Sequence, residues 1–366
     1  MAKKTNKAKK TKKRMKKRDR VITTLSIFVM LICIIAVGGV LIYNWRPFSE
    51  GKTDIIDQPS GIEVPSKYKG RYVNFLLVGL DASDNLTDVI MLMCIDTKDK
   101  SAHILNIPRD CYVGTDISKT GKINAVYGNA DANTDLTKIN KLIKTINDQL
   151  MIPIHHYATI TLEGFRDAVD SVGGIPINML WTVRFSSTKV IHEGEQVLNG
   201  KQSEWLVRYR KGYNTADIGR IQARNHFMAA AFSHFKSMSA TQIATKVVPS
   251  VYDKVTTSMS LGEMAQMAKT ASGITMENVF VYTLPVENVS GKDAANPTRN
   301  WTYPQSLLSI RKQQTADMLN MHFRPYRDAI PAEELGIIEL KNTGDPYEDT
   351  QESFDAILNG EGNKPR

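Results

Sequence analysis

Three cysteines in 366 residues leave no material for a disulfide framework. Cys33 falls in a long apolar run and Cys94 in a strand-like one. Cys111 lies close to a candidate site, with nothing beside it that suggests an activated thiolate. All three read as small buried side chains. Seven histidines show no zinc-ligand spacing, and His155-His156 is a pair without partners. No Gly-x-Ser-x-Gly, Walker or dinucleotide-binding motif occurs, so sequence offers no nucleophile elbow and no nucleotide cradle. No internal repeat is present, which argues against a solenoid or propeller. What remains is 42% hydrophobic and 23% charged, ordinary for a folded protein.

Excess charge is missing from most of the chain as well. The formal net charge is +9, but twelve Lys or Arg and one acid, Asp19, lie in residues 1–20. That tail carries +11 and everything after it −2. Cationic tails do bind nucleic acid, and a regulator acting through this tail is one reading. The tail lacks interleaved aromatics, however, and leads directly into Val21–Tyr43, which has no charged residue. A helix of that length is about 34 Å long at a rise of about 1.5 Å per residue, enough to cross a bilayer core. The positive-inside rule then accounts for the tail, and no nucleic-acid partner is expected. The run is too long for a cleaved signal sequence, and Asn44-Trp45-Arg46 is no cleavage site. The expectation is a basic cytoplasmic tail (1–20), a single transmembrane helix (21–44), an extracellular linker (45–70) and a body outside the membrane, as in many bacterial surface proteins.

In the body, Tyr72–Leu80, Val89–Ile95 and Ala102–Ile107 read as strands, the last two a hairpin joined by a charged turn. Helical spacing recurs over 136–150, 162–172, 217–237 and 261–271, and Val279–Leu284 reads as a last strand. From 342 the chain is polar and acidic without periodicity, which predicts a disordered tail (342–366). The alternation predicts an α/β class: a single α-β-α layered domain over 71–341 with a mixed central sheet, preceded by one transmembrane helix.

The segment Arg208 to Arg220 holds four cations, Arg208, Arg210, Lys211 and Arg220, with one carboxylate, Asp217. Guanidiniums this close repel one another unless an anion holds them, and their planar fork matches phosphate oxygens. Asp217 is a good N-cap, with Arg220 in the first turn behind it and Arg224 one turn later. A helix start adds free N–H groups and the positive dipole end. A solvated ion-pair network around Asp217 and Glu204 satisfies the same composition. Ile107-Pro108-Arg109-Asp110 closes the third strand and could present Arg109, or make only a local turn contact. Asp81 follows the first strand and Asp88 opens the second. Side by side they would suit a shared hard cation such as Mg²⁺; apart they are ordinary turn acids.

Taken in order, Leu77-Val78-Gly79-Leu80-Asp81, Asp88-Val89-Ile90-Met91-Leu92, Ile107-Pro108-Arg109-Asp110, Lys122-Ile123-Asn124-Ala125, Phe165 to Gly174, Gly194 to Gly200 and Arg208 to Arg220 resemble the LytR-CpsA-Psr proteins of bacterial cell envelopes. The resemblance covers about 71–285 and continues more weakly to about 341. It implies transfer of a glycopolymer, such as teichoic acid or capsule, from a polyprenyl-pyrophosphate carrier to a peptidoglycan sugar hydroxyl. It further implies that Arg109, Arg208, Arg210 and Arg220 grip the pyrophosphate, that Asp81 and Asp88 hold Mg²⁺, and that Asp217 orients the arginines. An apolar tunnel would take the lipid. Ser83 and Leu86 stand where many members carry arginine, and Arg224 where the helix often carries glutamine. Asp88 is the candidate for assisting deprotonation. Hydrolysis of the same donor and a wall-glycan scaffold without turnover are the rival functions.

Overall fold

Strand β1 (Tyr72–Leu80) reads as an apolar run, interrupted only by Asn74, because both of its faces are covered. Val73, Phe75 and Leu77 enter one apolar layer, and Leu76, Val78 and Leu80 enter the other. In this computed structural model the described residues are 62–128, 137–210, 212–213, 217–243, 248–265, 272–289, 307–340, 343–347 and 351–362. The expected tail, the membrane helix and the linker as far as 61 lie outside them. Among the described residues no helix is long and apolar enough to cross a membrane.

β1 pairs antiparallel with β2 (Thr87–Asp96), which forms the expected hairpin with β3 (Ser101–Asn106). Lys100, at φ +52, turns that hairpin. After α1 (Lys138–Leu150), β4 (His156–Ile160) runs parallel to β1. Helix α2 (Leu162–Ser171), strands β5 (Ile175–Met179) and β6 (Gly194–Leu198), and α3 (Gly200–Arg208) follow. α4 (Asp217–Lys236) is the longest described helix. β7 (Thr256–Thr257), β8 (Val279–Thr283), β9 (Val286–Val289), β10 (Leu308–Ile310), α5 (Lys312–Met318), β11 (Thr343–Tyr347), β12 (Glu352–Ser353) and α6 (Phe354–Leu358) complete the order used here. The main sheet runs β12-β8-β3-β2-β1-β4-β7, with β8–β3 and β1–β4 parallel and the other pairs antiparallel. The predicted mixed sheet between helical layers is thus observed. Helices α2, α3 and α4 cover one face and α1 the other.

Four expectations need correction or completion. The domain's packing begins at Ile62, 1% exposed, inside the stretch read as linker. Helix α3 was not visible in the periodicity; its signal is local, an Asn199/Gln202 capping box. Of the helix expected over 261–271, residues 261–265 are helical and 266–271 lie outside the described residues. The stretch from 342 is not the structureless tail its composition predicts. β11 pairs with β9, β12 adds to β8, and α6 buries Phe354, whose ring meets Phe232 of α4 at 5.8 Å. Two apolar residues one turn apart, Phe354 and Ile357, suffice because α4 supplies the other half of the contact.

α4 is buried almost all round in its first three turns. Ile218 and Ile221 enter the apolar layer on the α1 side, while Ala223, Phe227 and Met228 enter the opposite one. Its start therefore passes the end of the sheet. Gly219 permits this: a Cβ there would stand 2.5 Å from the Cβ of Tyr213.

Candidate active site

The cleft opens where β1 and β4 end, the position in which parallel strands of α/β sheets commonly receive ligands. Its free space, counted together with the open mouth, is about 870 Å³. Leu77, Ala158, Phe165, Phe227 and Met228 make its interior apolar, and Asp88, Arg208, Arg220 and Arg224 supply its charge. An apolar trough ending in cations suits an amphiphile with an anionic head.

Each charged group reaches the cleft for a local reason. Register pairs Leu80 with Thr87, and Asp81 N donates to Leu86 O at 2.9 Å, so Asp81 and Asp88 do share one end of the sheet. Arg109 follows β3 on a turn closed by Cys111 N donating to Pro108 O at 3.1 Å. Its guanidinium pairs with the Asp88 carboxylate. The Ile123–Ala125 turn packs on this segment: Ile123 N donates to Cys111 O, Asn124 N to Arg109 O, and Lys122 pairs with Asp110 at 2.8 Å. Arg220 and Arg224 are 5% and 6% exposed on α4. Arg224 Nη1 donates to the Asp88 carbonyl at 3.3 Å. Arg109 and Arg224 thus meet at Asp88, beside the cleft that Arg208 and Arg220 also line. Three lining guanidiniums against one lining carboxylate leave the mouth positive, and burial weakens screening.

The Asp81 carboxylate closes its own turn. It accepts from Ser83 Oγ at 2.8 Å, Ser83 N at 3.2 Å, Asn85 N at 3.3 Å and Leu86 N at 3.0 Å. Burial acts to raise its pKa, but these bonds, led by that from Leu86 N, hold it below the ordinary carboxylate range. Asp81 does not line the cleft itself; its neighbour Leu80 does. Arg210 is half-buried and stands outside the lining. The helix begins at Asp217, but that side chain lies outside the described residues, and its capping role with it.

Glu204 is not part of a solvated surface network. Its side chain is 13% exposed, and its two oxygens accept from Arg208 at 2.7 Å and Arg166 at 2.8 Å. Burial pushes its carboxyl up, and the two arginines push it down further, leaving it below the usual value. The role of Arg166 was not legible in sequence; the Glu204-to-Arg208 spacing of four residues was the available signal.

Several known proteins are similar to this chain. TagU of Bacillus mycoides, named a polyisoprenyl-teichoic acid–peptidoglycan teichoic acid transferase, is 28% identical over 246 residues, 63% of this chain and 77% of that one. The TagU of Oceanobacillus iheyensis is 26% identical over 264 residues, 68% and 79% of the two chains. The crystal structure of Bacillus subtilis TagV superposes with a TM-score of 0.57 at 22% identity, covering 71% of this chain and 99% of that one. Lin1025 from Listeria innocua gives 0.54 at 23% identity, covering 70% and 100%. The model of the LytR_cpsA_psr family matches residues 47–317, a span that takes in every strand from β1 to β10 and all four arginines gathered around the cleft. By that match over well more than half its length, the chain belongs to the LytR_cpsA_psr family.

Proposed function

We propose that this protein is a membrane-anchored phosphotransferase that moves a glycopolymer from a polyprenyl-pyrophosphate carrier to a peptidoglycan sugar hydroxyl. The observation that carries the reading is an apolar cleft whose mouth gathers Arg208, Arg220 and Arg224, with Arg109 held behind Asp88. The lipid chain would occupy the trough and the diphosphate its cationic mouth. The named activity of the TagU relatives, teichoic acid transfer to peptidoglycan, supports the same reading. The charge-free run at Val21–Tyr43 behind a +11 tail supports anchorage with the domain outside.

In this reading the sugar hydroxyl attacks the phosphorus next to the donor sugar, and polyprenyl phosphate leaves. The chain's contribution is position and charge. Arg109 and Arg220 stabilise charge growing on the phosphoryl oxygens, while Arg208 and Arg224 fix the diphosphate, and Arg210, outside the lining, would have to swing inward to join them. Asp88, at the mouth, would assist deprotonation of the hydroxyl, although its pairing with Arg109 makes it a weak base. Asp217 orients the arginines.

Among the described residues no group of three or more His, Cys, Asp or Glu side chains could hold a metal ion. Asp81 is committed to its own turn and Asp88 to Arg109, so a Mg²⁺ shared by the two would replace some of those bonds before phosphate and water complete its shell. Asp81 and Asp88 would hold it, and it would neutralise diphosphate charge.

The test is purified 47–366 supplied with a polyprenyl-pyrophosphoryl oligosaccharide, with and without peptidoglycan acceptor. Release of polyprenyl phosphate only with acceptor supports transfer. Release without acceptor makes the protein a hydrolase, and binding without release makes it a scaffold. Arg109→Ala and Arg208→Ala are each expected to lower kcat/KM by at least about 100-fold while the domain stays folded. Wild-type turnover in both would overturn the site.

A further inference from the structure

A carboxylate beside an anion site carries the wrong sign for the ligand, and Glu204 is such a group. Arg208, the last residue of α3, lines the cleft. Glu204 sits one turn earlier, and its Oε1 accepts from Arg208 Nη1. Its Oε2 accepts from Arg166 of α2, so two cations balance one acid and the group as a whole stays positive. The carboxylate is more withdrawn from solvent than either arginine: 13% exposed, against 34% for Arg166 and 36% for Arg208.

The two helices that carry this trio are tightly docked. Gly200 N donates to Asp170 Oδ1 at 2.7 Å, and a Cβ on Gly200 would stand 2.3 Å from Arg166 O. Arg166 therefore rides on a surface that cannot drift from α3. A guanidinium has five N–H donors, and the bond to Glu204 commits one. The remainder of the fork can serve a ligand in the cleft. A long, rotamer-rich side chain is thereby fixed before the ligand arrives.

We propose that Glu204 is a positioning residue that, with Arg166 as its countercharge, holds Arg208 at the cleft mouth for a diphosphate headgroup. This rests on the reading of the cleft as a polyprenyl-diphosphate site. Removing the carboxylate has two opposed effects. Repulsion of the anion is lifted, which favours binding, and Arg208 loses its tether, which harms alignment in the transition state.

The experiment compares wild type, Glu204→Gln and Arg166→Gln in steady-state transfer from a short-chain polyprenyl-pyrophosphoryl disaccharide, with melting temperatures measured alongside. Glu204→Gln is expected to lower kcat about tenfold while KM stays level or falls. Arg166→Gln leaves Glu204 unbalanced and raises KM. A merely structural role would lower the melting temperature without that split. Glu204→Gln with kcat within about twofold of wild type, or with KM raised and kcat unchanged, overturns the proposal. If Glu204→Gln does not fold, Glu204→Asp carries the test: a partial loss of kcat at level KM supports the proposal, and full activity overturns it. Absence of turnover in wild type would instead defeat the transferase reading, and this inference with it.

Discussion

Acid should unfold this domain through a histidine that takes no part in its site. His156 lies on β4, 9% exposed, with its ring stacked on Phe75 at 5.3 Å. Burial holds its pKa at about 4, against 6.5 for the free side chain. The folded value is depressed, so the unfolded chain takes up the proton first. The stabilisation is complete above pH 6.5 and is lost as pH falls through the window down to about 4. Within that window each pH unit costs about 1.4 kcal/mol, so moving from about pH 7.5 to about pH 5 costs about 2 kcal/mol. For a domain of this size that lowers the melting temperature by roughly 3 °C. Burial also holds His103 and His155 at about 4, so the wild-type slope is steeper than one group produces. Thermal melts of wild type and His156→Gln across this range isolate the one residue, whatever the substitution does to absolute stability. The variant should lose about 2 kcal/mol less than wild type over the same acid step. Parallel curves would refute the assignment of a neutral, buried His156.

Three further outcomes follow from particular contacts. Gly219→Ala sets a methyl 2.5 Å from Tyr213 Cβ, which should cost about 1–3 kcal/mol; it should also lower kcat/KM by moving Arg220, both measurable on one preparation. Phe354→Ala empties a site under α4 and should destabilise by about 3–5 kcal/mol in urea titration, whereas a disordered tail would give no change. Chelation with EDTA should reduce transfer and added Mg²⁺ restore it, without a shift in melting temperature, because no described cluster depends on an ion to fold.

The elements readable in sequence are those whose signal is local and repeated. β1, β2 and β3 are mostly apolar runs, α1 and α2 show a periodic face, and α4 has regularly spaced apolar residues although its start is buried almost all round. α3 has only Ser203 and Leu206 turned inward beyond its opening glycine, too short a pattern to register. α6 offers Phe354 and Ile357 in an acidic stretch, and its reason to fold is Phe232, more than a hundred residues away. The site divides in the same way. Crowded arginines declare an anion in the sequence itself. The pairing of Glu204 with Arg166 depends on how α2 docks on α3, and no spacing encodes that.

Both margins of the main sheet end in strands of two residues, Thr256–Thr257 on one side and Glu352–Ser353 on the other. Among the described residues the long apolar strands of the main sheet are therefore all interior, and each border offers only a two-residue backbone ladder to another copy.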